Sequence, residues 1–308
     1  MKVILYILFL SIFSIPPIFA QRDFSDSDTT KLVILGSGTP NPSPFQSGCS
    51  LAIIVFDTPY IVDFGPGLVR KAAALSPSYG GTLKALEMKN LNRAFLTHLH
   101  SDHTTGYPDL ILTPWVLGRN EPLEVYGPEG INNMTDHILK AYEEDIRYRV
   151  YGSEPGNDRG WRVNSHEITR EGIIYQDSNV TVEAFPVPHG TWPNAWGFRF
   201  TTPDKVIVIS GDTEPSEKLT TYAQNADILV HEVYSKAGFD KKDAAWKAYH
   251  AKHHTSTYQL GEIATKAQPK LVVLYHILYW GATEEDLLKE VHETYGGKVV
   301  VGWDLDVY

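Results

Sequence analysis

The chain has 308 residues, 43% of them hydrophobic, with a formal charge of −10. That suits one large or two small globular domains with a real core, and the acidity argues against a surface built to grip a phosphate backbone, which needs Lys and Arg. Cys49 is the only cysteine, which excludes an intramolecular disulfide and a cysteine-rich zinc site and suits a small buried filler.

In chain order, "MKVILYILFLSIFSIPPIFA" has one charge, Lys2, then an apolar run, then Pro16-Pro17 and Ala20. It reads as a secretory signal peptide over residues 1–20, with an exported mature domain over 21–308. The run is short for a membrane anchor and is broken by prolines, so no membrane is expected in the mature form. The sequons at Asn133 and Asn179 matter only in a eukaryotic host.

Strands are expected at "KLVILGSGTP", "CSLAIIVFD" and "PYIVDFGPG", and a helix at "LVRKAAALS". "NRAFLTH" reads as a strand that ends where a histidine cluster begins. A helix follows over "YPDLILTPWVLGR", then a strand at "LEVYGPEG" and one long helix over "INNMTDHILKAYEEDIRYR". Residues 151–180 read as short strands and a surface loop. The second half repeats this grammar. Its strands are "NVTVEAFPVPHG", "WGFRFTT", "KVIVISGD", "ADILVHEVY", "KLVVLYHI" and "KVVVGWDLDVY", with helices at "HTSTYQLGEIATKA" and "EEDLLKEVHETYG". Four of the strands are expected to end on a polar residue: His98, His189, Asp212 and His276. One such histidine is unremarkable in a core, but four at the same relative position call for a shared site.

The cluster His98-x-His100-x-Asp102-His103 carries the chemistry. On an extended segment, alternate residues face one way, so His98 and His100 can share an ion. A tight turn can aim Asp102 and His103 at a second. Imidazole with carboxylate suits zinc, manganese or iron.

"THLHSDHTTG" resembles the H-x-H-x-D-H signature of the metallo-β-lactamase superfamily, and "PVPHG", "SGDT" and "LYHI" follow in the family's order. The resemblance covers nearly all of the mature chain. It implies an α/β fold, a four-layer αβ/βα sandwich. It also implies two divalent metal ions, zinc first, with Mn2+ or Fe2+ compatible. His98, His100 and His189 would hold one ion, Asp102, His103 and His276 the other, and Asp212 would bridge them. "LGSGTP", "HSDHTTGYPDL", "VYGPEG", "LVHEVY" and "HHTST" are similar to the ribonuclease Z and arylsulfatase-like branch. There, a histidine like His254 protonates the leaving group, a glutamate like Glu232 orients it, and an aspartate like Asp102 orients a bridging hydroxide. His250 and His253 compete with His254 for the acid role.

The resemblance therefore implies a hydrolase acting on a small-molecule substrate, a phosphodiester or sulfate ester. Alternatives are a lactonase or β-lactamase-type hydrolase, a ribonuclease Z-like endonuclease, a mononuclear iron dioxygenase, and a non-catalytic metal-binding protein. The projecting arm with which ribonuclease Z grips tRNA has no room in "GTWPNAWGFRFTTPDKVIVIS". tRNA is accordingly not the expected partner; a homodimer is compatible. Trp115, Trp161, Trp192, Trp196, Tyr148 and Tyr151 could form an aromatic rim around the metals, or simply pack.

Overall fold

Leu32 and Ile34 of the first strand bury one face, while Val33 and Leu35 bury the other. A strand buried on both faces must lie between two layers. That rule repeats throughout the computed structural model, which describes residues 29–308. The expected leader, residues 1–20, lies outside the described residues.

The first sheet holds β1 (Thr30–Gly36), β2 (Ser50–Val55), β3 (Thr58–Val62), β4 (Arg93–Phe95), β5 (Leu123–Pro128) and β6 (Val163–Ile168), in chain order across the sheet. β1 to β3 pair antiparallel and β3 to β6 parallel. The second sheet holds β7 (Gly172–Gln176), β8 (Thr181–Pro186), β9 (Trp196–Thr201), β10 (Val206–Ile209), β11 (Ile228–Tyr234), β12 (Leu271–Leu278) and β13 (Val299–Val301), again in chain order. β7 to β10 run antiparallel and β10 to β13 parallel.

Parallel neighbours need crossovers, and helices supply them. Leu68–Leu75, Tyr107–Val116 and Ile131–Ala141 serve the first sheet; Glu217–Tyr222, Thr257–Ala267 and Glu284–His292 serve the second. Between the sheets, Phe95 meets Phe200 edge-on at 5.4 Å, within a core that includes Leu32, Ile53, Phe198 and Val230. Outside the first sheet, Val33, Ile54 and Ala94 pack under Leu68, Leu110 and Ile111. Outside the second, Leu229, Val272 and Leu274 pack under Leu260, Ala264 and Leu287. This is the expected four-layer αβ/βα sandwich. The C-terminus ties the halves together: after β13 the chain crosses to the first sheet, where Tyr308 and Leu32 exchange backbone hydrogen bonds.

The long helix expected over 131–149 is two helices, Ile131–Ala141 and Glu143–Tyr151, with Tyr142 between them. The acidic Glu143, Glu144 and Asp145 open the second helix, where its dipole favours negative charge. In the second half, three short helices escaped the periodicity: Glu217–Tyr222, Lys236–Asp240 and Ala244–His250. Each starts on a side-chain cap, from Ser216, Ser235 and Asp243.

Candidate metal centre

Three of the four expected strand-end residues lie three positions past the last residue of a strand. His98 follows Phe95 of β4, His189 follows Pro186 of β8, and Asp212 follows Ile209 of β10. His276 differs from expectation because β12 continues to Leu278. Glu232 pairs with Tyr275 and Val233 with Ile277, so His276 is the extra residue of a β-bulge, at φ 45°. A bulge re-aims one side chain without ending the strand. The "SDHT" that follows His100 forms the one-turn helix Ser101–Thr104, which carries Asp102 and His103.

These side chains converge. His98 Nε2 lies 2.8 Å from His100 Nδ1, and His189 Nε2 lies 3.3 Å from the same nitrogen. Asp212 Oδ2 is 3.9 Å from His98 Nε2. On the other side, His276 Nε2 is 3.1 Å from Asp102 Oδ2, and His103 Nε2 is 3.5 Å from Asp102 Oδ2. Asp212 reaches this group as well, at 3.5 Å from His103 Nε2 and 3.4 Å from His276 Nε2. The expected residues thus form two groups with Asp212 between them. Apart from half-buried His100, all are buried.

Neighbours fix which nitrogens face inward. Thr97 Oγ1 donates to Asp63 Oδ2, so it must accept from His98 Nδ1. His103 Nδ1 donates to Asp63 Oδ2 at 2.8 Å, and His189 Nδ1 to the His253 carbonyl at 2.7 Å. Each leaves Nε2 aimed at the common space, as metal-binding histidines are held. Asp63 is the site residue that sequence reasoning missed. Its one signal is an aspartate at the end of β3 in "VDFGPG", and it sits at φ 57°. Gly65 follows because a Cβ there would lie 2.3 Å from the Asp102 carbonyl.

The electrostatics fit a cation. His103 Nε2 and Asp212 Oδ1 are buried, face each other and have no hydrogen-bond partner. Burial opposes a proton on His276, yet the Asp212 and Asp102 carboxylates raise its pKa. Burial likewise opposes a proton on His103, whose Nδ1 lies 2.8 Å from Asp63 Oδ2 and whose Nε2 lies 3.5 Å from Asp102 Oδ2 and from Asp212 Oδ1. Carboxylates gathered around two buried imidazoles make a field that a divalent ion would neutralise. Cys49 also reaches the second group, which its place in the sequence did not suggest. Burial pushes its thiol up to about 12, and the S–H donates to the Gly38 carbonyl, so it is a neutral filler, as expected.

Of the three candidate acids, His254 is the one that faces the carboxylates of the site: its Nδ1 is 3.4 Å from Glu232 Oε2 and 4.0 Å from Asp212 Oδ2. Glu232 is pinned through Oε1 by the Thr213 and Thr255 amides. Its Oε2 and His254 Nδ1 have no other partner. Burial pushes Glu232 well above the carboxylate range and lowers His254 to about 4. His253 instead donates Nδ1–H to the Tyr249 carbonyl, and His250 stacks against Trp246.

Most of the anticipated aromatic rim lies elsewhere. Trp196 is in the inter-sheet core and Trp115 is buried in its helix. Trp161 lies beneath the Arg162 guanidinium, and Tyr148 and Tyr151 are exposed on the helix Glu143–Tyr151. Trp192 is the one whose ring meets the candidate ligand histidines, 4.5 Å from His100 and 6.1 Å from His98. Residues 190–211 are spent on the Trp192 loop, β9, β10 and their turns.

A family model described as a beta-lactamase superfamily domain matches residues 58–277, and the chain belongs to the metallo-β-lactamase superfamily. Within it the chain is ribonuclease Z-like and a metal-dependent hydrolase of ester bonds. Ribonuclease Z of Mycobacterium marinum is 29% identical over 280 residues, spanning 89% of this chain and 96% of that one. Two solved structures share the fold. The metallo-beta-lactamase fold protein YhfI of Bacillus subtilis has a TM-score of 0.67 at 17% identity, over 91% of this chain and 99% of that one. The short form of human tRNase Z has a TM-score of 0.66 at 20% identity, over 90% and 98%.

Proposed function

We propose that the protein is a dinuclear metal phosphodiesterase, with zinc as the first candidate ion. His98, His100 and His189 would hold one ion, Asp102, His103 and His276 the other, and Asp212 both. The observation that carries this reading is the buried, unpartnered pair His103 Nε2 and Asp212 Oδ1 at the junction of the two groups. When bound, the ions supply Lewis acidity and water that ionises near neutral pH. The chain's own residues do the rest. Asp102 orients the attacking water from within the second group. Glu232, pinned by two backbone amides, holds His254 by Nδ1, leaving Nε2 to hand a proton to the departing oxygen. Burial keeps water from competing for that proton.

The name ribonuclease Z, matched over 96% of the mycobacterial relative, favours a phosphodiester over a sulfate ester. It also favours a second reading, cleavage of RNA, against which the acidic charge and the short stretch between His189 and Asp212 weigh. Residues 1–20 we read as an export signal; N-terminal sequencing of the secreted chain should begin at Gln21.

The test is metal analysis with a panel holding a small phosphodiester, a precursor tRNA, an aryl sulfate, a lactone and a cephalosporin. Two ions per chain and turnover of a phosphodiester are expected. His98→Ala and Asp212→Ala should lose metal and abolish turnover. His254→Ala should cost about 10²–10⁴-fold on poor leaving groups and little on good ones. A flat response across leaving groups would remove His254 from the acid role.

A further inference from the structure

The rings do not stop at the ligands. One file runs outward from His276 to His254 (5.8 Å), His250 (5.6 Å) and Trp246 (5.4 Å, planes 21° apart). A second runs from His189 to His253 (5.2 Å) and Tyr249 (4.0 Å, planes 20° apart). Both end on the helix Ala244–His250, where Trp246 and Tyr249 meet at 5.8 Å. There the rings open to solvent, Trp246 54% and Tyr249 40% exposed. Burying either would be the ordinary outcome for so large an apolar group.

The charge around them has the opposite sign to the rest of the chain. Residues 236–252 hold five lysines against two aspartates, in a protein of net charge −10. Lys236 is bridged to Asp240, and Asp243 is spent capping the helix. Lys242 lies 4.6 Å over the ring of Trp280, which itself packs against His250 at 4.5 Å. Lys247 stands on the helix between Trp246 and Tyr249 in sequence, with its Nζ 6.0 Å over the Phe239 ring, and Lys252 directly precedes His253.

Exposed π-faces beside lysines, leading to a centre that cleaves phosphodiesters, fit one ligand chemistry. We propose that Trp246 and Tyr249, with the lysines around them, form a platform that stacks a nucleobase of the substrate while the lysines hold its adjoining phosphate. Every base has a π-face, so such stacking tolerates sequence. The lysines supply the sequence-independent attraction to phosphate. A simple aryl ester would leave the lysines unused, and an apolar protein partner would have to desolvate them. For turnover, the proposal rests on the phosphodiesterase reading.

The experiment uses the full chain loaded with zinc. Calorimetric titration with adenosine monophosphate should show binding, weakened about tenfold or more in Trp246→Ala and in Tyr249→Ala, and largely restored in Trp246→Phe. In parallel, kcat/KM for a dinucleotide is divided by that for the same backbone without bases. The ratio should fall about tenfold in both alanine variants. An unchanged thermal midpoint would confirm that the variants are folded, as expected for half-exposed rings. No binding of the monophosphate by the parent protein, or equal losses on both diesters, overturns the proposal. So does a change of oligomeric state in size exclusion with the ratio intact, which would assign this face to a second copy of the chain. If the monophosphate binds through Trp246 but the parent cleaves no diester, the phosphodiesterase reading fails and the platform stands. If diesters are cleaved and the ratio holds in both variants, the platform alone fails.

Discussion

Trp192 and His100 make incompatible demands on one proton. The Trp192 indole N–H donates to His100 Nε2 at 2.6 Å, so in this arrangement the imidazole proton sits on Nδ1 and faces His98 Nε2. If His100 gives its Nδ1 lone pair to a metal, Nε2 must carry the proton and can no longer accept. Metal loading should therefore displace the Trp192 indole. Addition of zinc to metal-free protein should shift tryptophan fluorescence, and Trp192→Phe should remove that shift; a shift of equal size in the variant would refute it. Asp63 acts one layer further out, on His103 Nδ1 and on Thr97, whose hydroxyl fixes His98. Asp63→Asn should weaken metal binding about 10–100-fold in a chelator competition without touching a ligand. The six-residue cluster His98 to His103 was legible because its ligands are neighbours in sequence. Asp63 was not, because its role comes from a contact 40 residues away.

At the scale of elements, the site depends on how strands end. β4, β8 and β10 stop three residues before their candidate ligand, a regularity that hydrophobic runs revealed approximately. β12 does not stop, and only its pairing with β11 exposes the bulge at His276. Glycine shapes the loop after β8. Gly190 sits at φ 58°, and a Cβ on it would lie 1.9 Å from the His253 ring, so the chain next to His189 has no space for a side chain. The helix Tyr107–Val116 is anchored by Arg119, fully buried without a carboxylate. Its guanidinium donates to the carbonyls of Leu91, Leu110, Ile111 and Gly160, and burial pushes its pKa down to about 9. Arg119→Met would leave those carbonyls unpaired and should cost about 3 kcal/mol or more in urea denaturation. Arg119→Lys should rescue little, since one ammonium cannot match the fork. Full stability in the methionine variant would show that water satisfies the carbonyls instead.

At the scale of the whole molecule, two buried histidines outside the candidate metal centre make stability depend on pH. His231 and His250 lie outside the ligand set, and burial lowers each to about 4 from the usual 6.5. Below 6.5 the unfolded chain takes up protons that the folded chain refuses, so stability is lost as pH falls from 6.5 toward 4. The metal-free protein should have a lower urea midpoint at pH 5 than at pH 7. His231→Gln should lose less over that interval than the parent; equal losses would acquit His231.

The sequence by itself determined most of the strands and half of each candidate metal group, while the four layers were implied by the family resemblance. Alternation and unbroken apolar runs specify strands buried on one or both faces, and the ligands of "HLHSDH" lie close enough for local geometry to bring them together. What completes the centre is tertiary. His189, Asp212 and His276 come from separate strands of the second sheet, and only the packing of that sheet against the first brings them to the cluster. The same holds for Asp63, for the tautomers it enforces, and for the ring files reaching Trp246 and Tyr249. Each is a contact between residues whose spacing along the chain carries no period, so burial and partner geometry, which exist only in the folded molecule, decide it.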